Sequence, residues 1–312
     1  MNQAAPLIVG DPQDLHVQAV CNLLRHCQPS IFDVATLGGE TFVLEEALFF
    51  RAGVNFKLGS ERPQSRGWIR RLAPLDWNRG IALQSRESAV SSSWMSLLAG
   101  VVRSADVEWL TTLDSVLVAE SKLTQIQAAR ALGIQTPRTI VTNNLAAALE
   151  AIDGATVVKP LGPSHYFDEF GDPRMVYTTE IELAKLPPET LAGAPFLIQK
   201  LIPADFHLRV VTVLQSTWVA SIEASGRPLD WRREDAAHGE FLSVAEPDPA
   251  IVMQAQAIAR RLMLGYSSQD WIVNSEGAFL LDVNPSGQWL FLPEPIATEV
   301  AECIAIWLGG IA

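Results

Sequence analysis

The sequence predicts a mixed α/β (α+β) fold of two or three domains, and three observations lead to that prediction. The chain has 312 residues, more than a single hydrophobic core usually holds. It opens as strand, helix, strand, because APLIVG and SIFDVAT flank LHVQAVCNLLRHC, whose apolar residues recur at helical spacing. Later segments alternate between helical repeats and β-branched runs such as ATVV. The expected architecture is therefore helices packed on sheets.

The elements follow in order from local signals. From Glu40 to Ala89 the sequence shows no sustained period, and between Ser91 and Val102 it predicts a helix. A further helix runs through SKLTQIQAARALG and stops at Gly133, before a proline-led strand. A helix from Ala146 to Ile152, the strand ATVVKPL and a loop from Gly162 to Pro173 come next.

The last third of the chain predicts a second β-rich lobe. PFLIQKLIP and LRVVTVLQSTWVASIEAS read as strands of that lobe, and PAIVMQAQAIARRLML reads as a helix. SQDWIVNSEGAFLLDVN then predicts a hairpin with a Ser-Glu-Gly turn, and the chain ends on a helix.

Composition and charge exclude several classes of protein. The 23 basic residues against 35 acidic ones give a net charge of -12, which argues against nonspecific binding to nucleic acid or anionic membrane. The cysteines Cys21, Cys27 and Cys303 form no CxxC pair, which favours a reducing compartment. No apolar run approaches the ~20 residues that span a bilayer, and the N-terminus does not resemble a signal peptide. We therefore expect a cytoplasmic protein.

The polar residues that indicate a specific function most clearly lie at the predicted hairpin. Asp282 and Asn284 are two residues apart on one strand, so their side chains project from the same face. Asp270 on the other strand adds a third oxygen donor, and such hard donors suit Mg²⁺. A turn-capping aspartate followed by an Asn-Pro turn would explain Asn284 and Pro285, but not the aspartate before them.

Several cations have both a functional and an ordinary interpretation. Lys159 ends a β-branched run and could reach a phosphate, or its ammonium could simply extend into water. Lys122 could be a solvated helix residue, and Arg232 could belong to a charged loop. Lys200 and Arg209 lie in predicted strands, where such residues indicate a wet or occupied face.

The order of these residues resembles that of the ATP-grasp ligases. The shared order is a lysine on a helix, a lysine ending a strand, a Gly-rich loop, a Gln-Lys strand, an arginine-bearing strand, then Asp and Asp-x-Asn. Within that superfamily, GIQTPRTIVTNN, VVKPL, LRVVTV, LDWR and DVNPSGQW are similar to the maturases of microviridin-type (graspetide) ribosomal peptides. The resemblance covers roughly residues 116–312, with a weaker likeness before them.

The resemblance implies an ATP-grasp fold with two α+β lobes that enclose the nucleotide, after a small pre-grasp α/β domain. We expect residues 1–115 to be that domain and to dock a leader peptide or substrate. Residues 116–185 would be the central lobe, and residues 186–312 the C-terminal lobe with the adenine hinge and the Mg²⁺ site.

The resemblance also implies roles for individual residues. The residues implied to bind ATP are Lys122, Lys159, Gly162, Ser164, Gln199, Lys200, Leu201, Ile202, Asp205 and His207. Those implied in catalysis, as cations beside the transferred phosphoryl group, are Lys159, Arg209 and Arg232. Those implied to hold Mg²⁺ are Asp270, Asp282 and Asn284.

The sequence departs from the family pattern at two of these positions. Asp282 stands where relatives usually have a glutamate, so the oxygen ligand remains but the side chain is one methylene shorter. His207 stands where relatives commonly have an acid two residues before the arginine. The ribose contact could pass to Asp205 or be lost, and the sequence leaves both open.

The resemblance implies an ADP-forming ligase that activates a carboxylate as an acyl-phosphate and joins it to an amine or a hydroxyl. Its expected partner is a precursor peptide with a leader segment, and a homodimer is expected. Two alternatives stay open: an ATP-grasp ligase for small molecules or amino acids, and a non-catalytic nucleotide-binding sensor or scaffold.

Overall fold

The computed structural model describes residues 5–24, 27–33, 43–45, 48–51, 54–57, 65–72, 85–104, 106–161, 165–167, 172–175, 178–229 and 239–309. These residues form helices packed on several sheets, and the mixed α/β prediction is confirmed. None of the described helices is long and apolar enough to cross a membrane.

The secondary-structure elements are numbered along the chain. The strands are β1 (Leu7–Val9), β2 (Ser30–Phe32), β3 (Val43–Glu45), β4 (Leu48–Arg51), β5 (Val54–Lys57), β6 (Ser65–Ile69), β7 (Val107–Trp109), β8 (Thr139–Thr142), β9 (Thr156–Pro160), β10 (His165–Phe167), β11 (Pro173–Met175), β12 (Thr179–Ile181), β13 (Phe196–Lys200), β14 (Phe206–Val213), β15 (Ser216–Glu223), β16 (Leu242–Ser243), β17 (Tyr266–Asn274) and β18 (Gly277–Asn284). The α-helices are α1 (Leu15–Leu23), α2 (Arg86–Ser104), α3 (Leu113–Glu120), α4 (Lys122–Ala131), α5 (Leu145–Ala151), α6 (Pro249–Arg261) and α7 (Ile296–Gly309).

A parallel sheet of order β2-β1-β6-β7 forms the N-terminal part. Alternation along β1 points Ile8 toward α1 and its neighbours Leu7 and Val9 toward α2, so both faces of the sheet are covered by helices. The segment without a sequence period contributes β6 and a separate antiparallel sheet, β3-β4-β5. The core around Ile8 is continuous with that of α7, so the N-terminal sheet and the C-terminal part share one apolar core.

A central sheet of order β12-β9-β13-β8 carries Lys159 on β9 and Gln199 on β13. The sequence analysis placed PFLIQKLIP in the second β-rich lobe, and that prediction is wrong. The segment forms β13, which pairs with β8 and β9 of the central sheet. The predicted boundary at residue 185/186 therefore falls between strands of one sheet. The segment expected to be a loop from Gly162 to Pro173 also contains a short antiparallel pair, β10-β11.

The C-terminal sheet has the order β16-β15-β14-β17-β18 and is antiparallel. Its strands alternate between two cores. Leu208 and Val210 pack with α6, while Val211 and Val213 pack with α7. Strands β17 and β18 form the predicted hairpin, whose register puts Asp270 opposite Asp282.

The helix predicted through SKLTQIQAARALG is preceded by a separate helix. Ser121 ends α3 and begins α4, where its hydroxyl accepts a hydrogen bond from the Thr124 N–H. Gly133, at φ 67°, follows α4 in the left-handed region, as the sequence predicted for its C-terminal stop. This break makes Lys122 the first residue of a helix.

Candidate functional site

A cleft of about 680 Å³ lies where the central sheet meets the C-terminal sheet. It falls within the ~300–1,000 Å³ of typical small-molecule sites. The cleft is lined by residues of α4, β9, β13, β14, β17 and β18, together with the segments that join them. Ten of the sequence-predicted site residues line it: they are Lys122, Lys159, Gln199, Lys200, Leu201, Ile202, His207, Asp270, Asp282 and Asn284.

Oxygen donors gather at one end of the cleft. The hairpin register pairs Asp270 with Asp282 and Ser268 with Asn284, and a bulge follows Asp270. Asp282 and Asn284 remain two residues apart on β18, so both project to the same face. The structure thus brings together the three side chains that the sequence selected as Mg²⁺ ligands.

Asp282 is held as a carboxylate by the cations around it. Its side chain is 28% exposed and forms an ion pair with Lys122. Burial by itself would raise the pKa of Asp282, but the charge and hydrogen bond of Lys122, with the charges of Lys159 and Arg209, bring that pKa below its usual value. The acidic end of the cleft therefore keeps a negative charge at neutral pH.

Arg209 forms an ion pair with Asp270, the second carboxylate of the cleft. Its Nη1 lies 2.9 Å from Asp270 Oδ1, and its side chain is 10% exposed. The guanidinium carbon also lies 5.5 Å from the ring centroid of Phe291. Arg209 is not among the described residues that line the cleft, so its charge acts on the cleft from the strand behind it.

Gln125 was not selected by the sequence analysis, although it holds the strand between the two predicted ligands. Its Nε2 donates to the carbonyl of Val283 at 2.7 Å, and its Oε1 accepts from the Val283 N–H at 3.1 Å. It also donates to the carbonyl of Ala119. The sequence signal that could have indicated this role is spacing, because Gln125 precedes the buried Ala128 and Ala129 by three and four residues and so shares their face of α4.

Replacing Gln125 with leucine is expected to lower the free energy of unfolding by roughly 1–3 kcal/mol, because both polar groups of Val283 lose their buried partner. The matched control is Gln256→Leu on α6, whose partners Gln215 and Thr217 are accessible to water. Urea unfolding of both variants checks the prediction. Equal losses in the two variants would contradict it.

The segment predicted as an adenine hinge has most of its N–H groups occupied. Lys200 N donates to Arg138 O at 2.9 Å, and Leu201 N donates to Ala155 O at 2.8 Å. The Gln199 side chain donates to Thr139 Oγ1. Among the described residues the N–H of Ile202 has no such acceptor, so it is the backbone donor of this segment that a ligand could use.

His207 and Asp205 have different positions. His207 is buried on β14, on the same face as Arg209, and it lines the cleft. Asp205 is exposed, and the described lining of the cleft does not include it. Its backbone bonds to Val273 and Ala224 instead.

Three of the sequence-predicted residues, Gly162, Ser164 and Arg232, lie outside the described residues. Lys200 lines the cleft, and its ammonium lies 3.9 Å from Asp153. Lys159, the fourth of the five residues of β9, lines the cleft from the central sheet.

The donor set at the acidic end fits Mg²⁺. Within the described ranges no group of three or more His, Cys, Asp or Glu side chains could hold a metal ion. Mg²⁺ does not need such a group, because it is commonly bound by one or two carboxylates, with water and substrate phosphates as its other ligands. Two ionised or cation-paired carboxylates and one amide oxygen meet that requirement.

No protein-family model matches the sequence, and no curated protein matches it either. Solved structures do share its fold. The macrocyclase MdnC of Microcystis aeruginosa MRC, bound with the precursor peptide MdnA, is 22% identical with a TM-score of 0.80, over 98% of this chain and 99% of that one.

Two further structures give the same result. A Chryseobacterium gregarium RiPP-associated ATP-grasp ligase, in complex with ADP and a leader and core peptide, is 20% identical with a TM-score of 0.82, over 99% of this chain and 97% of that one. The ATP-grasp ligase PsnB, complexed with minimal precursor, Mg and ADP, is 20% identical with a TM-score of 0.73, over 98% of both chains. The predicted ATP-grasp fold is confirmed.

Proposed function

We propose that this protein is an ATP-dependent ligase that joins a side-chain carboxylate of a precursor peptide to an amine or a hydroxyl of the same peptide. The observation that supports it best is the end of the cleft, where Asp270, Asp282 and Asn284 line the same cavity as Lys122 and Lys159. The shared fold also supports this function, because the similar structures are a macrocyclase and two ATP-grasp ligases, each bound to a precursor peptide or its leader and core.

ATP would lie along the cleft between the two sheets. The adenine would contact the hinge from Gln199 to Ile202, with the Ile202 N–H as donor and a backbone carbonyl as acceptor. His207 lines the cleft and Asp205 does not, so we propose His207 for the ribose side. Gly162 and Ser164 stay predictions as parts of a phosphate-covering segment.

Mg²⁺ would be held by Asp270, Asp282 and Asn284, and when bound it offsets charge on the phosphate oxygens. Lys122 already contacts Asp282, so binding of the phosphates would give its ammonium a second anionic partner. Lys159 and Arg209 both act electrostatically at Asp282. Together with Arg232, which stays a prediction, they would stabilise the transferred phosphoryl group.

The chemistry proceeds in two steps. A carboxylate oxygen of the peptide attacks the γ-phosphorus of ATP, the bond to ADP breaks, and an acyl-phosphate forms on the peptide. A lysine amine or a Ser/Thr hydroxyl then attacks the carbonyl carbon, gives up a proton, and displaces phosphate. The covalent intermediate forms on the substrate, so the protein needs no nucleophile of its own.

The docking of a leader on residues 1–115 and a homodimer stay predictions that follow from the resemblance. A cytoplasmic location stays a prediction that follows from the composition. The similar ligase from Chryseobacterium gregarium was solved with a leader and a core peptide. We therefore propose a peptide with both parts as the substrate of this chain.

Incubation of the protein with a precursor peptide, ATP and Mg²⁺ is expected to reduce the peptide mass by ~18 Da per bond formed, with one ADP released for each bond. Mass spectrometry and an ADP assay check this. ADP released on adding free amino acids, with no change in peptide mass, would favour a small-molecule ligase. No reaction in either assay would favour a non-catalytic nucleotide-binding protein.

A further inference from the structure

The turn that follows the predicted metal ligands is held by the N-terminal domain. Arg70, directly after β6, is 1% exposed, and its Nη1 donates to the carbonyl of Ser286. Its Nε donates to Asp14 Oδ2 at 3.1 Å. Asp14 is the N-cap of α1, so the guanidinium joins the first helix of the chain to the turn after β18.

His16 makes a second link to the same turn. Its Nε2 lies 3.2 Å from the backbone N of Trp289, which donates to it, and its Nδ1 lies 3.0 Å from Asp14 Oδ1. Burial lowers the pKa of His16, against the opposing effect of Asp14. A neutral imidazole with its proton on Nδ1 satisfies both contacts at once.

Strand β17 also contacts the turn. Tyr266 Oη donates to Gly287 O at 2.8 Å, and a Cβ at Gly287 would lie 2.5 Å from Ser268 Cβ. The Ser286 N–H donates to Asn284 Oδ1 at 2.9 Å. The peptide groups that bracket Ser286 therefore connect Arg70 on one side with the carboxamide of Asn284 on the other.

A buried arginine with a carboxylate partner gives little net stability, because desolvation offsets the attraction between the charges. A role in setting geometry accounts better for Arg70. The Asn284 oxygen has two lone pairs, so its bond to Ser286 leaves one for a cation.

We propose that Arg70, Asp14 and His16 are positioning residues for the metal site, through which the N-terminal domain sets the orientation of Asn284. This inference rests on the proposed function, because it needs Mg²⁺ and a nucleotide to bind at Asp270, Asp282 and Asn284. None of the three positioning residues lines the cleft, so they act only through the turn.

The test is calorimetric binding of ADP to the full chain, with and without Mg²⁺. In Arg70→Met we expect the strengthening of ADP binding by Mg²⁺ to fall about tenfold or more, as for other residues that orient metal ligands. Affinity for ADP without Mg²⁺ should stay within about twofold, because the hinge is untouched.

Arg66→Met is the matched control. Arg66 is also an arginine of the β6 region that bonds a C-terminal carbonyl, that of Trp307 at 2.9 Å, but this carbonyl belongs to α7 and not to the turn. It should keep the full effect of Mg²⁺. Loss in both variants, or in neither, would overturn the inference.

A second pair of variants keeps the test open if Arg70→Met fails to fold. His16→Gln retains a donor for Asp14 and an acceptor for Trp289 and should keep the Mg²⁺ effect, whereas His16→Leu should lose it. Equal Mg²⁺ effects in these two would contradict the inference. If the wild-type chain binds no ADP in either condition, the proposed function itself fails and the inference falls with it.

Discussion

Replacing Asp282 with alanine is expected to reduce ADP formation to below about 1% of the wild-type rate. The variant removes the carboxylate that faces Asp270 across the hairpin and that holds the Lys122 ammonium at the cleft. Both the proposed Mg²⁺ site and the position of a phosphate-binding lysine depend on it. ADP release at saturating ATP, Mg²⁺ and precursor peptide is the measurement.

The fold should survive this change. Asp282 lies near the C-terminal end of β18, and the backbone of its neighbour Val283 keeps its hydrogen bonds to Gln125. Because the pKa of Asp282 is lowered in the folded state, its contribution to stability is present above its unfolded pKa of ~3.9 and is lost as pH falls below it. The stability difference between wild type and variant should therefore shrink in acid.

Glu276→Ala is the control for Asp282→Ala. It removes one carboxylate from the exposed turn of the same hairpin, away from the cleft. Near-normal turnover is expected for this control. If Asp282→Ala also kept wild-type turnover, the assignment of the metal site would be wrong.

Local sequence patterns were enough to predict the three proposed metal ligands, because these residues lie close together in the sequence. Alternation along a strand was enough to put Asp282 and Asn284 on one face, and the Ser-Glu-Gly turn brought Asp270 opposite. These are properties of a single hairpin. The sequence therefore indicated its acidic end before any long-range contact was known.

Long-range pairing could not be read in the same way. PFLIQ has the composition of any half-buried strand, and nothing in it shows that Phe196 pairs with Thr142 and Pro160. The network of Asp14, His16 and Arg70 closes over separations of 54 to 273 residues. Each of its members looks like an ordinary surface residue until the fold brings them together.

The break between α3 and α4 at Ser121 has a local signal in the sequence, but that signal is hard to recognise. The apolar residues around Ser121 fit one helix, but the sequence also has a serine three residues before Thr124 that can act as an N-cap. The cap separates α3 from α4 and sets the direction of α4, whose first residue reaches Asp282. A capping signal inside an apolar repeat was thus the feature that placed Lys122.

Replacing Arg209 with methionine is expected to lower ADP formation by about a hundred- to a thousandfold, because a cation behind the phosphoryl site is lost. The variant also leaves Asp270 without its 2.9 Å partner. Removing one member of a buried pair costs roughly 3–5 kcal/mol, and the 28% exposure of Asp270 reduces that cost. Urea unfolding and ADP release should both show losses.

The double variant Arg209→Met with Asp270→Asn separates the two losses. Asparagine carries no charge, so the unpaired carboxylate is gone and part of the lost stability should return. Activity should not return, because the cation is still missing and the metal site has one charge fewer. If turnover recovered together with stability, Arg209 would serve only to neutralise Asp270, and the phosphoryl group would have to be stabilised by Lys122 and Lys159 alone.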